Sequence, residues 1–208
     1  EYDLLLERYV LAVFYFSTAV SETCSPEHHT HCKNTKKNSW FHDQHWMSQR
    51  SVCSWRGVDC HSDGDSVQRL SLKNNGLNGN LPGELALLSR CESIDLGRNK
   101  LKGTIPSALA KMEYLYGLFL GDNALTGTIP DEFWAAEQLQ ELYVGTNQLS
   151  GKVPDLPTTC NLQALGLEEN LFTGQIPDSL WTNPPLRTLY LDGNSLTGRL
   201  PNHVFFCG

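Results

Sequence analysis

The chain has no apolar run long enough to cross a bilayer. Its longest, from Tyr9 to Phe16, falls well short of the roughly 20 residues a spanning helix needs, and the charged Glu7 and Arg8 precede it. No membrane insertion is expected from this segment. Basic residues are scarce as well, with 16 Lys and Arg against 23 Asp and Glu for a net charge of -7. Only Lys33 to Lys37 forms a compact basic run, so nucleic acid and anionic membrane are excluded as main partners, since both need clustered cations. There is no Asn-x-Ser/Thr sequon, and N-glycosylation is not expected. There is no Gly-x-Ser-x-Gly elbow either, and Glu168 and Glu169 are adjacent residues rather than carboxylates paired across a cleft. The sequence therefore gives no reason to expect an enzyme or a cofactor.

Glycine and proline, by contrast, are plentiful and ordered: 17 Gly and 10 Pro recur at fixed intervals instead of gathering in linkers. From Val67 onward one pattern repeats, aligned on Val67, Cys91, Leu115, Leu139, Leu162 and Leu186; the spacing is 24 residues except for one copy that is a residue short. Each copy opens with apolar residues at period two, such as Leu118 and Leu120 or Leu142 and Val144, which predicts one short strand with one buried face. Asn75, Asn99, Asn123, Asn147, Asn170 and Asn194 follow the strands, where a buried amide can pair backbone groups of the neighbouring turn. A Gly and an apolar-Pro pair then turn the chain, and Leu85, Leu109, Phe133 and Leu180 point back inward. No single copy buries its own core, so stability comes from stacking neighbours. The reading is one elongated unit, with residues 1–66 as an N-terminal capping region and 67–208 as six repeats of 23–24 residues without a C-terminal cap.

Leu-x-x-Leu-x-Leu-x-x-Asn-x-Leu-x-Gly-x-Ile-Pro resembles the plant-type extracellular leucine-rich repeat of receptor-kinase ectodomains and polygalacturonase-inhibiting proteins, which has relatives among algal secreted proteins. Cys53-Ser-Trp55-Arg-Gly57-Val58-Asp-Cys60 resembles the Cys-x-Trp-x-Gly-Val-x-Cys signature of that family's N-terminal cap. The resemblance implies an α/β leucine-rich-repeat solenoid. In it a right-handed curved superhelix carries a concave parallel β-sheet, an irregular or 3-10 convex side, and a helical, disulfide-bonded N-terminal cap. It also implies a Cys53–Cys60 disulfide and a secreted or extracellular setting, or the lumen of another oxidising compartment, which the start without Met or a signal sequence suits.

Seven cysteines cannot all pair within one chain. Cys24 with Cys32 is the second expected disulfide. Cys91 and Cys160 read as buried thiols, and Cys207 as either a buried thiol or a partner for a cap beyond the array. His28, His29 and His31 stand between Cys24 and Cys32, but the spacing is loose for a zinc module and no metal is expected. Ahead of them, Leu5, Tyr9, Ala12, Val13 and Phe16 fit one stripe of a helix, predicted to lie across the N-terminal end of the core.

Function is to be sought at the variable strand positions, which would form rows on the concave face. One column reads Ser71, Asp95, Phe119, Tyr143, Gly166, Tyr190; beyond it stand Lys73, Arg98, Asp122, Glu168 and Asp192, with Arg69 and Glu141 on the other side. Aromatic anchors beside glycines and carboxylates predict a protein or peptide ligand. The alternative is a structural subunit of a larger extracellular or lumenal assembly, docking through an uncapped C-terminal end and the convex residues Trp134, Trp181 and Phe205, of which the two tryptophans read equally as core packing or as partner contact. A hydroxyl row, Thr126, Ser150, Thr173 and Thr197, suggests an ice-matching face, but Lys102, Lys152 and Arg199 break its regularity.

Overall fold

The structure, a computed structural model, describes residues 2–19, 40–64, 66–182 and 185–198. Cys24, His28, His29, His31, Cys32, Phe205 and Cys207 lie outside the described residues, and with them the expected Cys24–Cys32 disulfide and part of the proposed convex surface.

Helix α1 (Tyr2–Thr18) and strand β1 (Val58–Cys60) belong to the N-terminal part. Each repeat then contributes two strands: β2 (Val67–Ser71) and β3 (Asn78–Asn80), β4 (Ser93–Asp95) and β5 (Lys100–Gly103), β6 (Gly117–Phe119) and β7 (Ala124–Gly127), β8 (Glu141–Tyr143) and β9 (Gln148–Lys152), β10 (Ala164–Gly166) and β11 (Leu171–Gln175), β12 (Thr188–Tyr190) and β13 (Ser195–Thr197). The first strands form one sheet in the order β1-β2-β4-β6-β8-β10-β12, and the second strands form another in the order β13-β11-β9-β7-β5-β3. All pairings are parallel except β1 with β2. This is the solenoid the repeat predicts, with its concave parallel sheet, and 3-10 turns at Gly83–Leu87, Ser107–Lys111 and Asp131–Phe133. The second sheet is an addition to the expected irregular return side.

Local chemistry explains the double sheet. The residue before each ladder asparagine is left-handed: Asn74, Arg98, Asp122, Thr146 and Glu169 have φ between 50° and 56°, and Gly193 has φ of 66°. That bend turns the chain out of the first sheet, and the asparagine pairs the groups the bend leaves open. Asn170 Nδ2 donates to the carbonyls of Val144 at 3.0 Å and Leu167 at 3.2 Å, while its Oδ1 accepts from the Leu149 amide at 2.9 Å. The ladder reaches into the cap, where the Asn75 amide both accepts from the His42 N–H at 2.7 Å and donates to its carbonyl at 3.0 Å. Prolines 82, 106 and 130 then hold extended backbone just before the 3-10 turns. Those turns bury Leu85, Leu109 and Phe133 in a core that also holds Leu70, Ile94, Leu118, Leu142 and Leu165.

The cap seals the first repeat with aromatics. Trp46 lies 4.6 Å from Trp40 and 5.0 Å from Trp55 between ring centroids, and Phe14 of α1 packs edge-on to Trp40 at 5.7 Å. The Arg8 guanidinium sits 5.3 Å from the Trp55 ring and donates to the Ser48 and Arg50 carbonyls. Helix α1 docks by the face opposite to the one predicted. Glu7, Val10, Leu11, Phe14 and Thr18 are buried, whereas Leu5, Tyr9 and Phe16 are exposed. The helix is apolar on both sides, so periodicity gives no direction. What selects the face is specific: the Glu7 carboxylate accepts the N–H of Val67, at the start of β2, at 2.9 Å, and the Phe14 ring meets the tryptophans.

Cys53 and Cys60 form the disulfide that the cap resemblance implies. A loop this short restricts the unfolded chain modestly, so replacing both cysteines by Ser lowers stability by about 2.5 kcal/mol. Urea denaturation of the variant and wild type side by side checks this. Cys91 and Cys160 are buried, and burial pushes the Cys91 thiol up to about 12, leaving it protonated and unreactive.

Candidate functional site

The open face of the first sheet is built by strand alternation. Register pairs Ser71 with Asp95, Asp95 with Phe119, Phe119 with Tyr143, Tyr143 with Gly166, and Gly166 with Tyr190, so the predicted column stands as one row across six strands. Phe119 and Tyr143 stack with centroids 5.5 Å apart and planes 12° apart. Tyr190 tilts toward Tyr143 at 6.5 Å and 41°.

Glycine makes room for this arrangement. A side chain on Gly166 would begin 2.7 Å from the Tyr143 ring and 3.0 Å from Glu168 Oε2; one on Gly145 would begin 2.0 Å from Glu168 Oε1. The Tyr143 ring and the Glu168 carboxylate therefore share the bay that these two glycines leave open. Glu168 Oε2 is buried there with no hydrogen-bond partner. Burial, then the charges of Glu141, the neighbouring Tyr190 and Glu168, raise the Tyr143 phenol above its ordinary value, which keeps it a donor.

A cleft of 350 Å³ brings together Lys73, Asp95, Arg98, Phe119, Asp122, Glu141, Tyr143 and Glu168. A neighbouring hollow of 490 Å³ collects Arg69 and Ser71 and shares Lys73, Asp95 and Phe119 with the first. Tyr190 reaches the site through its ring contact with Tyr143, while Asp192 lines neither cleft. Arg98 and Asp122, at equivalent positions of adjacent repeats, form an ion pair at 3.4 Å. Asp59, Ser93 and Tyr116 also line the second hollow and were missed. Asp59 comes to the site because β1 adds to the sheet edge, with Val58 buried and Asp59 exposed in strand alternation.

On the return side, Trp134 is only 4% exposed and packs in the core. Of the two readings open for it, packing and partner contact, its burial fits packing: the Asp131–Phe133 turn carries it inward. Trp181 is half-buried. The hydroxyls of Thr126, Ser150 and Thr173 donate to the carbonyls of Gly103, Gly127 and Gly151 at 3.3, 3.3 and 3.4 Å, so the hydroxyl row serves the second sheet itself.

The leucine rich repeat family models match residues 89–149 and, separately, 66–88 and 185–207. The LRR ectodomain of the receptor kinase SOBIR1 from Arabidopsis thaliana superposes with a TM-score of 0.65 at 30% identity, over 73% of this chain and 87% of that one. The chain belongs to the leucine-rich-repeat family. Two further plant structures resemble it over less of their own length. The plant peptide hormone receptor RGFR1, in complex with RGF2, matches at 37% identity and a TM-score of 0.61, over 64% of this chain and 22% of the receptor. A plant ice-binding protein matches at 28% identity and a TM-score of 0.67, over 74% of this chain and 51% of its own. This leucine-rich-repeat chain thus spans most of the SOBIR1 ectodomain but about a fifth of RGFR1. Among the described residues no helix is long and apolar enough to cross a membrane.

Proposed function

We propose that this chain is a non-enzymatic, extracellular recognition module that holds a protein or peptide ligand on the concave face of its first sheet. The observation that carries the reading is the stacked Phe119–Tyr143 pair, set beside glycines and carboxylates in an open cleft. Stacked aromatics that stay half-exposed supply apolar contact at low conformational cost, and the glycines let a ligand backbone approach the sheet. The likeness to a peptide hormone receptor supports the same reading, as does the cap disulfide for an oxidising, extracellular setting. Docking through the return side into a larger assembly has less support, since Trp134 is withdrawn into the core. The internal use of the hydroxyl row argues likewise against an ice-matching face.

Selection of a displayed random-peptide library on the immobilised protein tests the reading, with the Phe119→Ala/Tyr143→Ala variant as counter-target. The expected result is a set of peptides that bind the variant about a hundredfold more weakly than wild type, as for loss of two central aromatic anchors. Peptides enriched equally on both proteins, or none on either, would overturn it.

A further inference from the structure

Four carboxylates line the 350 Å³ cleft, and their partners differ. Asp122 is paired with Arg98 at 3.4 Å, and Asp95 accepts the Gly97 N–H at 3.0 Å. Glu141 and Glu168 have no cation among the described residues. Lys73 lines the same cleft, but neither it nor Arg69 forms an ion pair with either glutamate. Among the described residues the two glutamates are therefore not neutralised by an ion-pair contact.

They also bracket one ring. Glu141 is two residues before Tyr143 on the same face of β8, and the Glu168 carboxylate shares the glycine bay with the Tyr143 ring. Phe119 covers one side of that ring. On its other side Tyr190, 48% exposed, stands 6.5 Å away and 41° off parallel. An unpaired carboxylate on either side of an aromatic face is a complementary surface for a planar cation. A guanidinium can lie against the ring while its edges donate to the carboxylates, which an ammonium does less well and a neutral or acidic group cannot do.

Building on the recognition reading, we infer that the ligand is a peptide presenting an arginine side chain, which seats against Tyr143 between Glu141 and Glu168. Glu168 Oε2, buried and without a hydrogen-bond partner, lies at the same spot.

The test uses capped tripeptides Gly-Arg-Gly, Gly-citrulline-Gly and Gly-Glu-Gly, titrated into the isotope-labelled protein by NMR. Citrulline keeps the shape of arginine and removes its charge. The expected result is saturable shifts of the Tyr143, Gly145 and Gly166 amides with the arginine peptide, about tenfold weaker binding with citrulline, and none with glutamate. The Glu141→Gln/Glu168→Gln variant, near-isosteric, should lose the preference for arginine over citrulline while its melting curve stays that of wild type. Equal binding of the arginine and citrulline peptides by the wild-type protein would overturn the inference, and that comparison needs no variant to fold. Absence of shifts with any tripeptide would overturn it too. If the library-selected peptides lose binding to the Phe119→Ala/Tyr143→Ala variant but not to Glu141→Gln/Glu168→Gln, the inference falls while the recognition reading stands.

Discussion

Gly79→Ala destabilises the protein by about 4 kcal/mol and frees the N-terminal helix from the repeats. Gly79 has φ of 134°, a conformation side chains rarely adopt, and a Cβ placed there would lie 1.9 Å from the Ser17 carbonyl oxygen. That oxygen is backbone at the end of α1, so no side-chain rotation relieves the overlap; the helix end must move. Moving it pulls on the Ala19–Asn78 bridge and on the Thr18 carbonyl that accepts the Trp40 indole N–H at 3.1 Å. Gly83→Ala is the control. It has no positive φ, and a Cβ there would meet its nearest neighbour at 3.9 Å, so the substitution should change stability by less than about 0.5 kcal/mol. Urea denaturation of both variants, read by tryptophan fluorescence, separates the two outcomes.

Trp55→Ala is expected to cost about as much, roughly 4 kcal/mol, by a different route. The ring is 2% exposed, packs against Trp46 at 5.0 Å and carries the Arg8 guanidinium at 5.3 Å. Truncation leaves a cavity between the cap and the first repeat and strips Arg8 of its aromatic support. The indole N–H, however, is buried without a hydrogen-bond partner. Replacing the indole by a phenyl ring therefore forfeits volume but no hydrogen bond, and Trp55→Phe should cost only about 1–2 kcal/mol. If Trp55→Phe proved as damaging as Trp55→Ala, the polar end of the ring would matter and this account of the cap would be wrong.

Much of the molecule was legible in the sequence because a repeat reports each position several times over. The strand of Leu118 and Leu120, the ladder asparagines and the inward Leu85, Leu109 and Phe133 each had counterparts in neighbouring copies, and all adopt the expected roles. The aromatic row was legible for the same reason: a two-residue alternation fixes which face Phe119, Tyr143 and Tyr190 share. What escaped was unrepeated. Helix α1 occurs once and is apolar on both faces, so only its Glu7 bond to Val67 and its contact with Trp40 decide which side is buried. Trp134 follows a convex apolar position where other copies carry Ala86 or Ala110, and nothing in the sequence distinguished an inward from an outward indole. The second sheet depended on five left-handed residues, among them Arg98 and Thr146, whose side chains do not advertise that conformation.

Hydroxyl-radical footprinting of the protein with a library-selected peptide tests the central claim most directly, because exposed aromatics on different surfaces report at once. Tyr190 and Tyr114 are 48% and 52% exposed, and Tyr9 is 56% exposed, so they start from similar reactivity. The account predicts that the bound peptide lowers modification of Tyr143 and Tyr190 and leaves Tyr114 and Tyr9 unchanged. Protection of Tyr114 or Tyr9 with Tyr143 and Tyr190 as reactive as before would place the ligand elsewhere and contradict it.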